Sequence, residues 1–505
     1  TFPSRQRDDS LLPDRERAST GVLALRSDRT GQEHRQFLAA LASVGPNGKA
    51  HLLRPRGDLR RSDERAPSRW LVDAIRERLG RTVQAPELES MREPWLRNVP
   101  SFAGGVLQCP FPATGQEFDL RDLVDHSERA GDVRDHPMVA TGALASGATL
   151  QRGRNGSTFS RFDGNLGAVD RPRLTDNARP TSATALETWA RCPQQYLMRY
   201  LLRVDPLDAP EQRLRIDPIS KGSLVHIILE RFVQERIDAP GAHPSLGWTR
   251  ADRARLHDIA SEEFANANRR GITGQPLYWR RDQVLLRRDL DEFLSRDTER
   301  RHDQHLTPLA TELGFGLGGN APIHITLPSG DRLPLRGSID LVDEADNGSL
   351  VLVDYKTGRD TKLTPDAPHK GGTKLQLVLY ALAARQALER PGVPVTSLYW
   401  HISAKSRYRQ VGYDVTQEIQ NTTLGAVQLI VDNIHRGVFP QHPEETTRSQ
   451  FVSCHYCDPD GMGTNDARRR LVRKASDPAL QEYLVLAEPT LVAPVALPDL
   501  DQAAP

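Results

Sequence analysis

From residue 309 onward the apolar positions fall into a period of two. Residues 311–317, 323–327, 333–342 and 350–355 alternate or run apolar over strand lengths, which predicts four strands. Asp346-Asn347-Gly348 separates the last two and predicts a tight hairpin. The pattern then lengthens to a helical period over 374–388, returns to a strand over 395–402, and ends in a helix over 415–436. Upstream, helices are predicted over 185–202, with Ser182 or Thr184 as its cap, and over 221–234. Residues 250–305 are strongly charged and helical in pattern. Strands followed by a helix, with more helices on either side, define an α/β (α+β) architecture: a mixed β-sheet flanked by helices.

The first 180 residues carry weaker periodicity. A helix is expected over 33–42, a short strand over 51–54, and a helix from the Ser68 cap through Arg78. Residues 86–180, rich in Pro, Gly and Asp, read as a connector with short helices. Residues beyond about 485 are rich in Ala, Pro and Leu and are expected to be disordered.

Composition narrows the function classes. The chain has 505 residues, 38% hydrophobic and 26% charged, with a formal net charge of +1. Its length suggests roughly two to four domains. No apolar run is long enough to span a membrane. Net charge gives no argument for nucleic-acid binding, which would need a local basic groove. The cysteines, at 109, 192, 454 and 457, are too few for a disulfide framework, so a reducing cytoplasm is expected. Gly45-Pro46-Asn47-Gly48-Lys49 is too short for a phosphate-cradling Walker loop, so the chain is not expected to bind ATP by itself. The start at Thr1, without an initiator Met, suggests the C-terminal part of a longer polypeptide.

Candidate chemistry centres on the hairpin. Paired antiparallel, its strands bring Asp340 and Asp354 together at one end. Lys356, two residues past Asp354, shares its face. Two carboxylates and an ammonium on one sheet face are costly to bury unless they hold a metal or charged ligand. The plain alternative is a surface salt bridge. Gln376 and Tyr380 stand one turn apart on the following helix. Arg280, Arg281, Arg287 and Arg288 form a cluster that reads either as a solvated helix face or as a phosphate-tracking surface. Cys454-x-x-Cys457 alone fits zinc or no metal.

Gly337-Ser338-Ile339-Asp340, then Asp354-Tyr355-Lys356-Thr357-Gly358, then Gln376 to Tyr380 resembles, in this order, the PD-(D/E)XK nuclease superfamily. More narrowly it is similar to the RecB/AddB-type nuclease domains of bacterial helicase–nuclease complexes. The resemblance implies a restriction-endonuclease-like core and Mg²⁺- or Mn²⁺-dependent hydrolysis of DNA, exonucleolytic or endonucleolytic. Asp340 and Asp354 would be the main metal ligands, His226 an auxiliary one, and the Tyr355 carbonyl another. Lys356 would orient the attacking water, Gln376 and Tyr380 would support that lysine or contact DNA, and Glu312 is a further candidate. A single-stranded DNA end and a helicase subunit are the implied partners, in double-strand break repair and recombination.

The pattern 182–196, with Cys192-Pro193, resembles the first helix of AddB-type nucleases, whose cysteine joins three C-terminal ones on a 4Fe-4S cluster. Here Cys192, Cys454 and Cys457 match, and the last cysteine, expected near 461–464, is missing. Either Asp458, Asp460 or His455 substitutes, or the cluster is lost. Short pieces of 1–85 resemble the end of an inactivated helicase-like region. The implied domains are a helicase-like remnant (1–85), a connector (86–180), a nuclease domain (181–485) and a tail (486–505). Two readings compete: a non-catalytic DNA-binding scaffold with a vestigial site, and a stand-alone exonuclease of the CRISPR-associated type.

Overall fold

The structure is a computed structural model. It describes residues 11–23, 25, 28–55, 66–99, 102–108, 111–167, 169–170, 173–176, 178–204, 214–239, 247–358, 363–443, 456 and 464–492. The chain divides into two compact units, Thr1–Ala148 and Thr149–Pro505.

The described part of the first unit is helical, including Asp28–Ala42, Arg69–Leu79 and Gly115–Ala130. Ser68 caps the second of these by accepting from the Leu71 amide. Val72, Ile75, Val83, Leu88 and Met91 form its small core. The strand expected over 51–54 does not form: residues 51–55 pair with no strand among the described residues. An isolated extended segment has no ladder to satisfy its backbone groups, so apolar content alone does not make it a strand.

The second unit is built on a five-stranded sheet. Its elements are α1 (Ala183–Arg191), α2 (Pro218–Ile237), α3 (Arg250–Arg269), α4 (Pro276–Gln304), β1 (Leu306–Phe315), β2 (Ile323–Thr326), β3 (Arg332–Leu335), β4 (Gly337–Ala345), β5 (Leu350–Lys356), α5 (Gln376–Ala387), β6 (Val395–His401), β7 (Gln410–Asp414), α6 (Gln417–Arg436), α7 (Asn465–Arg473) and α8 (Pro478–Ala487). The strand order is β1-β4-β5-β6-β7. Within this sheet β5 and β6 pair in parallel while its other neighbours are antiparallel, and a parallel pair needs a crossover, which α5 supplies. In β5, Leu350 through Tyr355 are all buried, because helices cover both faces of this central strand.

Strand parity sorts the two cores. Leu350 and Leu352 pack with α1, α5 and α6, whereas Val351, Val353 and Tyr355 pack with α2, α3 and α4. Behind the second face lies a buried ionic network. Asp297 accepts from Arg301 Nε at 2.8 Å and Trp248 Nε1 at 2.7 Å, and Arg301 reaches Asp343 of β4 at 2.9 Å. Arg300 joins the same two carboxylates.

Three elements differ from the sequence expectation. The run 333–342 is two strands, with β3 pairing with β2 in a separate two-stranded sheet and, through Leu335, bridging to Thr181. The break falls at Arg336, whose amide donates to the Thr181 carbonyl at 2.8 Å and so leaves the ladder. The helix expected over 185–202 is interrupted at Cys192, which is extended (φ −156°, ψ 100°). Pro193 lacks the amide to continue the helix and restricts the residue before it, so a new short helix starts there. The charged stretch 250–305 is two helices, separated by a turn in which Gly271 and Gly274 take positive φ. At the C-terminal end, α8 runs through Ala487 and a 3₁₀ turn covers Pro489–Leu491. No helix among the described residues is long and apolar enough to cross a membrane.

Candidate active site

The β4–β5 hairpin sets the site. Its turn closes with the Gly348 amide on the Ala345 carbonyl at 2.8 Å, with Gly348 at φ 77°. The ladder runs from Glu344↔Leu350 to Leu341↔Val353 and then opens. At the opening the Asp340 side chain replaces the missing backbone partner: its Oδ2 accepts from the Tyr355 amide at 2.7 Å. Asp340 is thereby fixed beside Asp354 at the open end of the hairpin.

On the α5 side, Asp354 and Lys356 share one face of β5 and form a direct ion pair. Lys356 Nζ also donates to Gln376 Oε1 at 3.2 Å and lies 5.0 Å from the Tyr399 ring centroid. Burial alone would lower the Lys356 pKa, but the charge and hydrogen bond of Asp354, together with the charges of Asp340 and Glu187, outweigh it and raise it, so the amine is held as ammonium. Tyr380, one turn beyond Gln376, packs edge-on to Phe315. It fits because position 337 is glycine: a Cβ there would come within 2.9 Å of Phe315 Cζ and 3.1 Å of Tyr380 Oη.

On the other side, His226 of α2 bridges two groups. Its Nε2 donates to the Tyr355 carbonyl at 2.9 Å, and its Nδ1 pairs with Asp340 Oδ1 at 3.3 Å. Burial opposes protonation of the imidazole, yet the hydrogen bond and charge of Asp340, helped by Asp354, raise its pKa to about 8. The Tyr355 carbonyl therefore faces the site while its ring is buried in the α2–α4 core, edge-on to His226.

Glu312 completes this side. The β1–β4 register flanking it, Thr311↔Leu341 and Leu313↔Ile339, sets it opposite Asp340. It sits at φ 45°, a left-handed conformation that is strained for a non-glycine residue inside a strand. Ligand atoms of His226, Glu312 and Asp340 lie within 4.8 Å of one another. Asp354 is not part of that triad; it stays with Lys356. Glu230, one turn after His226, has its pKa raised by burial and then by the charges of Glu312 and Asp340. The Asp340 pKa is likewise raised, by burial and then by the charge of Asp354. So much negative charge drawn together, in an oxygen donor set with one imidazole, fits a hard divalent cation.

Glu187 was not singled out by the sequence pattern. It is 6% exposed, on α1, and its Oε1 accepts from the Leu375 amide at 2.7 Å and the Gln376 amide at 3.1 Å. It thus caps the start of α5 from another element and holds the turn that carries Gln376 to Lys356. Its L-E-x-W context gives no signal of this, because the partners lie 188 and 189 residues away.

The arginine cluster does not form one free stripe. Arg280 and Arg281 are exposed. Arg287 donates to the His257 carbonyl and Ser261 Oγ and lies over the Phe264 ring, and Arg288 pairs with Asp289. Cys192 is buried beside Pro193. Cys109, Cys454 and Cys457 lie outside the described residues, as do His455, Asp458 and Asp460.

Comparison with known proteins bears on this geometry. The family model of the PD-(D/E)XK nuclease superfamily matches residues 180–460. A protein of Lacticaseibacillus casei, named as a subunit of an ATP-dependent helicase/deoxyribonuclease, is 29% identical over 265 residues, covering 48% of this chain and 21% of its own. A protein of the same name from Symbiobacterium thermophilum is 31% identical over 241 residues, covering 43% of this chain and 19% of its own. The chain thus spans about a fifth of the length of the curated relatives it matches. A solved structure titled "Crystal structure of SSO0001" aligns with 42% of this chain and 87% of its own at 15% identity, with a TM-score of 0.18. With the family match extending over more than half of its residues and the fold a mixed sheet flanked by helices, the chain belongs to the PD-(D/E)XK nuclease superfamily.

Proposed function

We propose that the chain is the DNA-cleaving part of a helicase–nuclease subunit and hydrolyses phosphodiester bonds with Mg²⁺ or Mn²⁺. The observation that carries this reading is the convergence of Asp340, Asp354, Lys356 and His226 at the open end of one hairpin. Asp340, Glu312 and His226 would hold the ion, with Asp354 and the Tyr355 carbonyl at the adjoining rim. When bound, such an ion neutralises charge on the phosphoryl group and makes water more acidic.

The chain's own residues supply the rest. Lys356, kept charged by Asp354, stabilises negative charge on the phosphate and orients the attacking water. Gln376 fixes the direction of the amine by accepting from it. Glu187 holds Gln376 in place through the start of α5. A site in which all these groups are positioned favours a working nuclease over a DNA-binding scaffold with a vestigial centre. The names of the similar proteins support a helicase partner and a DNA substrate. The test is degradation of single-stranded DNA by the purified chain with Mg²⁺ or Mn²⁺. Loss on adding EDTA is expected; equal cleavage in EDTA would overturn the metal assignment.

A further inference from the structure

A second concentration of unpaired charge lies away from the hairpin, in the same unit. A cavity of about 200 Å³ is lined by Arg154, Arg161 and Arg470 against an apolar wall that includes Phe159 and Leu166. Arg154 and Arg161 have no hydrogen-bond acceptor among the described residues, and the Nε of Arg154 is buried. Arg161 lies over the Phe162 ring at 4.7 Å. Arg470 has one distant partner, Gln441 Oε1 at 3.3 Å. Burial, and then the charge of Arg154, lower the Arg470 pKa below its usual value.

The charge of Asp163 in the lining, with that of Asp466, offsets only part of this, because burial and Arg154 still leave the Arg470 pKa lowered. Asp163 Oδ2 accepts from the amide and hydroxyl of Ser160 and pairs with Lys474 at 3.0 Å. Lys474 is in turn satisfied by the carbonyls of Gly153 and Thr158. Among the described residues that leaves the half-buried Arg154 and Arg470 and the exposed Arg161 around one small space with donors to spare, and crowding like charges there is unfavourable unless an anion enters. Planar guanidinium forks match the oxygens of a phosphate, and several of them suit its double charge better than the single charge of a carboxylate.

We infer that this cavity binds a phosphate group, borne by a nucleic-acid strand or by a small phosphate compound, through Arg154, Arg161 and Arg470. The strand source rests on the nuclease reading; the phosphate chemistry does not. The wall of Phe159 and Leu166 would accommodate the apolar face of whatever carries the phosphate. No residue of this cavity belongs to the hairpin site, so binding here and cleavage there are separable by mutation.

The test is thermal unfolding of the full chain in EDTA, with sodium phosphate, chloride or acetate at equal ionic strength, for wild type, Arg154→Gln and Arg470→Gln. Phosphate should raise the wild-type midpoint above chloride and acetate, and each variant should lose that shift. Removing one of two crowded cations should leave the variants folded. Calorimetric titration with phosphate should show affinity falling about tenfold or more per arginine, the scale of one charge-assisted hydrogen bond. Equal shifts with acetate, or an unchanged phosphate shift in both variants, would overturn the proposal. Competition between phosphate and a short oligothymidylate identifies a strand as the source, and its absence identifies a small compound. Hydrolysis of a small chromogenic phosphodiester, measured separately with Mg²⁺ and without EDTA, should be unaltered in both variants. Its failure in the wild type would count against the nuclease reading and leave the phosphate result standing.

Discussion

Removing the carboxylate of Glu187 should loosen the start of α5 and, through it, the lysine of the site. The perturbation is Glu187→Ala, at a position 6% exposed. It deletes the acceptor for two backbone amides, Leu375 at 2.7 Å and Gln376 at 3.1 Å, and no other acceptor for them is present in the helix. A hydrogen bond to a charged group contributes about 1.5–3 kcal/mol, and partial access of water recovers some of that, so the loss is about 3 kcal/mol for the pair. At about 1.4 kcal/mol per tenfold, this is roughly a hundredfold in the local opening equilibrium. Hydrogen exchange of the peptide spanning 374–380, followed by mass spectrometry, reads it directly. Glu187→Gln keeps an oxygen acceptor and should lose only about 1 kcal/mol. Unchanged protection of the Leu375 and Gln376 amides in the Ala variant would refute the capping role. The pH dependence has a definite sign. Burial raises the Glu187 pKa above its ordinary 4.5, so the folded state holds this proton more tightly than the unfolded chain. Stability should therefore fall as pH rises from the ordinary carboxylate range through the folded value, and Glu187→Gln should remove that slope.

Asp343→Asn leaves Arg300 and Arg301 buried with half of their counter-charge; it should cost about 3–5 kcal/mol in urea unfolding, and a cost below about 1 kcal/mol would contradict the network as described. Gly337→Ala drives a methyl against Phe315 and Tyr380 and should destabilise by about 1–3 kcal/mol while perturbing Tyr380; wild-type stability would show that the ring can yield. His226→Ala removes one member of the proposed ligand triad and should weaken Mn²⁺ binding about tenfold or more by calorimetry, whereas equal affinity would remove His226 from the proposed ion site.

The hairpin was legible because its signals are local. Apolar runs flanking Asp346-Asn347-Gly348 fix the turn, and strand parity then puts Asp354 and Lys356 on one face. The break of the first helix was also written in the chain, since Pro193 cannot continue it. Glu187 was not legible: on its own helix it is one of several polar residues, beside Thr184, Thr188 and Arg191, and its meaning comes from amides far along the chain. The left-handed conformation of Glu312, between the paired residues Thr311 and Leu313 of β1, likewise has no local sequence signal. Arg336 divides what reads as one strand because Thr181, distant in sequence, takes its amide. Local rules thus describe the strands and the motif, while the supports of the motif are tertiary.

The most direct test of the account is cleavage of single-stranded DNA with Mg²⁺ by wild type, Asp354→Ala and Lys356→Ala, each checked for native unfolding behaviour. Both side chains sit at the end of β5 and outside the apolar cores, so each variant should fold. The account predicts EDTA-sensitive cleavage by the wild type and its loss in both variants. Full activity in folded Asp354→Ala protein would contradict it.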